Sequence, residues 1–234
     1  MVSYVLTQRQ VQAVGLAILP TVAVLTLNGL YLGPAFRFSP SLFWMLDIVQ
    51  HVLIPLLSCW ALWKLARVPP RLYGLGRLVD DEDLISALIL FGFILFIFTV
   101  GYAFFRGIAR YVPPVWWSGF GYDVPVPIDP VRAMVAVLYY GITAGIVEEV
   151  FFRGLPALYL ESRLSAQRFK LIYPLASAAA FALVHWENGS SELIAVFLLG
   201  LLVAFFYLKI RNLWPFVVGH AFTDFFWFWG LYDF

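Results

Sequence analysis

The chain has little of what a soluble protein needs. Charged residues make up 12% of its 234 positions, against about 25% in ordinary soluble domains. A large core wrapped in a water-exposed charged surface is excluded. There is one cysteine, Cys59, and it lies in an apolar run. A single thiol rules out an internal disulfide framework and leaves no basis for a cysteine metal cluster. The formal net charge of +1 carries no electrostatic footprint for nucleic acid. Internal repeats and low-complexity segments are absent. The first apolar segment is too long for a signal-peptide core and has no convincing cleavage site, so it is read as a retained helix.

Apolar residues are what the chain has in abundance: 62% of the total, with a mean hydropathy of +0.87. Spanning a bilayer takes about 20 consecutive apolar residues. Seven segments qualify, at roughly 10–33, 41–66, 84–106, 131–152, 169–187, 191–209 and 213–231. No soluble domain fits around them. The expected fold is all-α, a polytopic helical bundle of about seven transmembrane helices forming a single integral membrane domain over residues 1–234.

The links carry the remaining signals. RVPPRLYGLGRLVDDED, at 67–83, is polar and ends in acids suited to the first turn of the third helix. The 107–130 link holds Pro113, Pro114, Trp116, Trp117, Pro125, Pro127 and Pro130, which predicts an interfacial loop with tryptophans at headgroup depth. With the N-terminus inside, four of the fifteen Lys and Arg residues fall outside: Arg37, Arg106, Arg110 and Arg132. The positive-inside rule therefore predicts a cytoplasmic N-terminus and an outer C-terminus.

Few titratable groups remain within the apolar segments, and they are the most informative residues of the chain: Asp47, His51, Glu148, Glu149, His185, His220 and Asp224. A carboxylate at membrane depth costs roughly 2.5 to 3.5 kcal/mol on insertion scales, so two adjacent ones need partners. Glu149 and Arg153 are spaced i,i+4 and share a helix face, whereas Glu148 points about 100° away. Arg153 then fixes Glu149. Glu148 faces the bundle on a side with the small residues Gly141, Ala144 and Gly145, which allow close approach of a neighbour. His185 follows Phe181 by one helical turn, and His220 and Asp224 form a second i,i+4 pair. Three segments thus bring acids or histidines to membrane depth, where such groups converge on each other rather than on lipid. A carboxylate within reach of a water, with histidines nearby, is equipment for activating that water. Peptide hydrolysis also needs donors for the oxyanion.

In their order EExxxR, FxxxH and HxxxD, these motifs resemble the type II CAAX prenyl protease and bacteriocin-processing family of intramembrane endopeptidases, also called CPBP or Abi proteins. The motifs lie within about 131–231. The resemblance implies a multi-pass protein of a bacterial or archaeal inner membrane that acts on a membrane-anchored protein or peptide. It implies Glu148 as the water-activating base, Glu149 and Arg153 as its supporting pair, His185 as a histidine assisting the water and His220 as the oxyanion-binding histidine. Asp224 stands where the prenyl proteases have asparagine. A carboxylate donates to an oxyanion only if protonated, so orienting His220 is the expected role.

The expected cofactor is none. The alternative is zinc held by Glu148, His185 and His220, since a catalytic zinc takes three protein ligands and a water, although HExxH is absent. Asp47 and His51, a further i,i+4 acid–histidine pair, lie outside the motifs and are read as structural. The site has one geometric condition. If the helix holding Glu148 ended at Arg153, its glutamates would lie far from His185; they meet only if the helix continues through LPALYLES to about Ser162, kinked near Pro156. Two other functions use the same composition: a non-enzymatic membrane immunity or binding protein, and an ion-coupled transporter, because acid–histidine chains also relay protons. The substrate choices for the peptidase are prenylated CAAX-like ends, a bacteriocin leader, or C-terminal transmembrane sorting tails.

Overall fold

The computed structural model describes residues 5–78, 83–113 and 126–230. Among these, all regular structure is helical, in the order α1 (Gln8–Thr26), α2 (Asn28–Phe38), α3 (Pro40–Ile48), α4 (Ile54–Lys64), α5 (Leu84–Ala109), α6 (Pro130–Glu149), α7 (Leu155–Glu161), α8 (Ala166–Leu183), α9 (Ser190–Ile210) and α10 (Trp214–Gly230). A π-helical turn, Val49–Leu53, joins α3 to α4, and another, Val150–Gly154, joins α6 to α7. The all-α polytopic bundle is therefore present. Among the described residues, five continuous stretches are long and apolar enough to cross a membrane: Gln8–Thr26, Pro40–Lys64, Leu84–Ala109, Pro130–Glu161 and Ser190–Ile210. The expected count of seven spans is not reached on that criterion, although α8 and α10 pack as full members of the bundle.

Local chemistry sets the ends. Thr7 caps α1 in a reciprocal box with Gln10. Asp83 caps α5, accepting from the Ser86 N–H at 2.8 Å, while the acids that precede it, Asp80 to Glu82, lie outside the described residues. Asp129 caps α6 at the Arg132 N–H, with Pro130 in the first helical position where a missing N–H does no harm. Trp116 and Trp117, expected at the interface, also lie outside the described residues. The first predicted segment divides at Leu27, where the Thr26 carbonyl accepts from the Trp186 indole at 2.7 Å and the chain restarts at Asn28.

The fourth segment runs unbroken from Pro130 to Glu161, as the depth argument requires. Its bend is a π turn rather than a simple proline kink. Pro156 has no N–H for the carbonyl four residues earlier, and that carbonyl, on Phe152, accepts from Ser177 Oγ of α8 at 2.6 Å. The other π turn also ends two residues before a proline, Pro55. At the centre of the bundle, α10 packs between α6 and α5. Gly141 and Gly145 make this possible: a Cβ on either would stand 2.7 Å from the Ala221 carbonyl or 2.8 Å from that of Val217. Around this centre α9 packs on α5 and α8, and α1 on α4 and α7. The buried core runs from Val14 and Leu25 through Phe98 and Phe152 to Phe216.

Candidate active site

The close contact of α6 with α10 sets the carboxylates of one helix against the imidazole of the other. Glu149 is completely buried. Its Oε1 lies 2.8 Å from His220 Nδ1 and 3.5 Å from Arg153 Nη1. Glu148, one position earlier, is 8% exposed and has Oε2 3.7 Å from His220 Nε2. The two glutamates therefore address opposite nitrogens of one ring. Asp224 has Oδ2 3.6 Å from Nε2, within ion-pair range but longer than a hydrogen bond. The oxygen closest to orienting His220 belongs to Glu149 rather than to Asp224, because the i,i+4 spacing on α10 puts Asp224 on the other side of the ring.

Aromatic rings hold this assembly. Phe98 of α5 stacks on His220 with centroids 5.1 Å apart, and Phe181 of α8 meets it edge-on at 5.9 Å. Phe181 also lies under the Arg153 guanidinium, 3.8 Å from its centroid, and touches His185 at 5.0 Å. A single phenylalanine thus joins all three motifs. His185 lies just beyond the end of α8, with Nδ1 2.9 Å from the Phe181 carbonyl. A carbonyl only accepts, so Nδ1 carries the proton and Nε2 is the nitrogen able to accept from a water.

Glu148, His185, His220 and Asp224 line one cavity of about 760 Å³, whereas Glu149 and Arg153 stand behind its wall. That volume is in the range of small-molecule and peptide side-chain sites. Asp47 and His51, read from sequence as structural, line the same cavity. Asp47 Oδ1 is 3.0 Å from His51 Nδ1, and its Oδ2 accepts from the Tyr139 hydroxyl at 2.7 Å. Sequence reasoning also passed over Phe98, Tyr102, Arg106 and Glu192. Tyr102 donates to Glu192 Oε1 at 2.7 Å, and Arg106 lies over Trp227 at 4.0 Å. Phe98, Tyr102 and Arg106 follow each other at i,i+4 on α5, where Arg106 donates to the Tyr102 hydroxyl at 3.3 Å, but no spacing shows that Glu192 and Trp227 reach them from other helices.

The zinc alternative would draw on Glu148, His185 and His220. Among the described residues no three His, Cys, Asp or Glu side chains converge at metal-holding distances. His185 gives Nδ1 to the Phe181 carbonyl and His220 gives Nδ1 to Glu149, outer partners that fix the tautomer and leave Nε2 as the working nitrogen of each ring.

Glu187, in the short turn Trp186–Asn188, also faces the cavity, and burial pushes its carboxyl above the usual carboxylate range. A raised carboxyl binds its proton more tightly in the folded protein, so folding stability falls as pH rises from the unfolded value near 4.5 through the folded one. Glu187→Gln is expected to flatten that slope and raise the unfolding temperature at neutral pH, as read by thermal unfolding in detergent between pH 4 and 8.

The family described as Type II CAAX prenyl endopeptidase Rce1-like matches residues 130–226, the stretch that supplies all three motifs. No curated protein and no solved structure matches the chain. Through that stretch, from the capped start of α6 to the second half of α10, the chain is similar to the type II CAAX prenyl endopeptidases.

Proposed function

We propose that the protein is an intramembrane endopeptidase that hydrolyses a peptide bond near the C-terminus of a membrane-associated substrate, with Glu148 as the base. The observation that carries this reading is the setting of Glu148: a nearly buried carboxylate on a cavity wall, 3.7 Å from an imidazole whose far nitrogen is fixed by a second carboxylate. Glu148 takes a proton from a water held in the cavity, and His185 Nε2 accepts the water's other hydrogen as a bond. The oxygen attacks the scissile carbonyl carbon. With Nδ1–H given to Glu149, a protonated Nε2 makes His220 an imidazolium that faces the forming oxyanion. Glu149, Glu148 and Asp224 balance that charge. The proton on Glu148 then passes to the leaving amine as the C–N bond breaks.

Each side chain in this scheme has one task. Arg153 holds Glu149 in place, Glu149 orients His220, and Asp224 on the cavity side of Nε2 supplies negative charge rather than an oxyanion donor. The mechanism in this reading runs on side chains and water alone, with no metal. Protein reconstituted in liposomes and treated with EDTA or 1,10-phenanthroline is expected to cleave its substrate at the untreated rate. A loss of more than tenfold that added zinc restores would overturn the metal-free mechanism.

A further inference from the structure

The side chains on the cavity wall come from one end of the bundle. On α5 they are Tyr102 and Arg106, in its last two turns; α8 supplies Phe181 near its end, and α9 supplies Glu192 in its first turn. The lining continues to Val126 ahead of α6 and to the exposed Asn188 between α8 and α9, so the cavity reaches the surface at that end. The other end is closed. There the linker after α4 is tied to the α9–α10 connection: Leu213 N–H donates to the Gly74 carbonyl at 2.9 Å, Tyr207 to that of Tyr73 at 3.3 Å, and Asn212 to that of Arg77 at 3.3 Å. Tyr73, Tyr207 and Leu213 are buried in that plug.

The two ends differ as much in charge. Of the fifteen Lys and Arg residues, Arg153 is fully buried and belongs to neither end. The four at the mouth end are Arg37, Arg106, Arg110 and Arg132, and Arg106 is already within 3.9 Å of Glu192. The other ten, among them Arg67, Arg71, Arg163, Arg168, Lys170 and Lys209, belong to the sealed end. An excess of this size in short loops marks the cytoplasmic face.

Taken with the proteolytic reading, on which the inference rests, this asymmetry leads us to propose that the active site opens to the extracytoplasmic side. Its substrate class is then the C-terminal transmembrane tail of an exported protein, cut at the outer end of the tail. A cytoplasmic prenylated C-terminus would meet the sealed face. Water adds across one peptide bond, leaving a carboxylate on the exported portion and an amine on the tail. The exported portion is released from its membrane anchor.

The experiment has two arms, both in intact bacterial cells. In a Cys59→Ala background, single cysteines are placed by Ile128→Cys, 94% exposed beside the mouth, and Arg71→Cys, exposed on the sealed end. A membrane-impermeant maleimide is expected to label Ile128→Cys in intact cells and Arg71→Cys only after permeabilisation. The reverse pattern overturns the inference. In the second arm, cells carry an exported reporter ending in one transmembrane segment of about 20 apolar residues followed by arginines, or a cytoplasmic reporter ending in a prenylated peptide. Loss of the tail from the exported reporter alone, at least tenfold more in wild-type cells than in Glu148→Gln cells, supports the inference. Processing of the cytoplasmic reporter alone overturns it while leaving the peptidase standing. Equal trimming in Glu148→Gln cells overturns the glutamate mechanism instead, whichever side the cavity faces.

Discussion

Glu148→Gln is expected to lower the rate of substrate cleavage by roughly 10²- to 10⁴-fold, the usual contribution of a positioned general base, with the fold intact. Glutamine keeps the shape and the hydrogen-bonding reach of the side chain but cannot take a proton from water. The residue stands on the cavity wall with one oxygen buried without a hydrogen bond, 3.7 Å from His220 Nε2, so the neutral amide breaks no hydrogen bond of that oxygen. The unfolding temperature should therefore stay level or rise. Cleavage of a reconstituted substrate, followed by gel or mass spectrometry beside thermal unfolding of the same preparation, separates the two effects. A variant that cleaves within threefold of wild type would remove Glu148 from the chemistry.

Arg153→Met is expected to show the opposite profile, a large loss of stability. The guanidinium is fully buried, 3.5 Å from Glu149, and lies over the Phe181 ring. Taking it away leaves a buried carboxylate facing His220 without its second counter-charge. Breaking a buried pair from one side costs about 3 to 5 kcal/mol, a fall of roughly 6 to 20 °C in unfolding temperature for a chain of this size. Methionine fills much of the same volume, which separates the charge effect from the cavity effect. The double variant Glu149→Gln, Arg153→Met removes both charges and is expected to lose less than the sum of the single losses. A single variant that unfolds with wild type would contradict the assignment of Arg153 as the clamp on Glu149.

The residues legible in the sequence were those whose partners lie on the same helix. Glu149 and Arg153 meet because i,i+4 spacing alone places them together, and the different surroundings of the two glutamates follow from the 100° step between neighbours. The continuation of the fourth segment past Pro156 was also legible, because only that length brings Glu148 level with the histidines. The π turn that achieves it was not. It depends on Ser177, a residue of another helix, reaching the Phe152 carbonyl that proline leaves without a donor.

Contacts between helices were the least visible. Glu149 to His220 is a separation of 71 residues, and no spacing rule predicts which carboxylate takes the Nδ1 nitrogen. For the same reason Asp47 and His51 read as an isolated structural pair, although they face the cavity from across the bundle. Phe98 sits in a helix that is apolar on every side, so nothing distinguishes the ring that stacks on His220 from the phenylalanines that face outward, such as Phe96. Composition established the membrane-embedded class, but the depth and the direction of the cavity follow only from which helix ends supply its wall.

The central claim is that Glu148 drives peptide hydrolysis at membrane depth. Mass spectrometry of membrane proteins from cells carrying wild-type or Glu148→Gln protein tests it most directly, because one comparison reports both activity and the scissile bond. The account predicts a set of proteins that lose a C-terminal segment in wild-type cells and keep it, at full length, in Glu148→Gln cells. Identical C-termini in the two, with both proteins present at equal levels in the membrane, would contradict it.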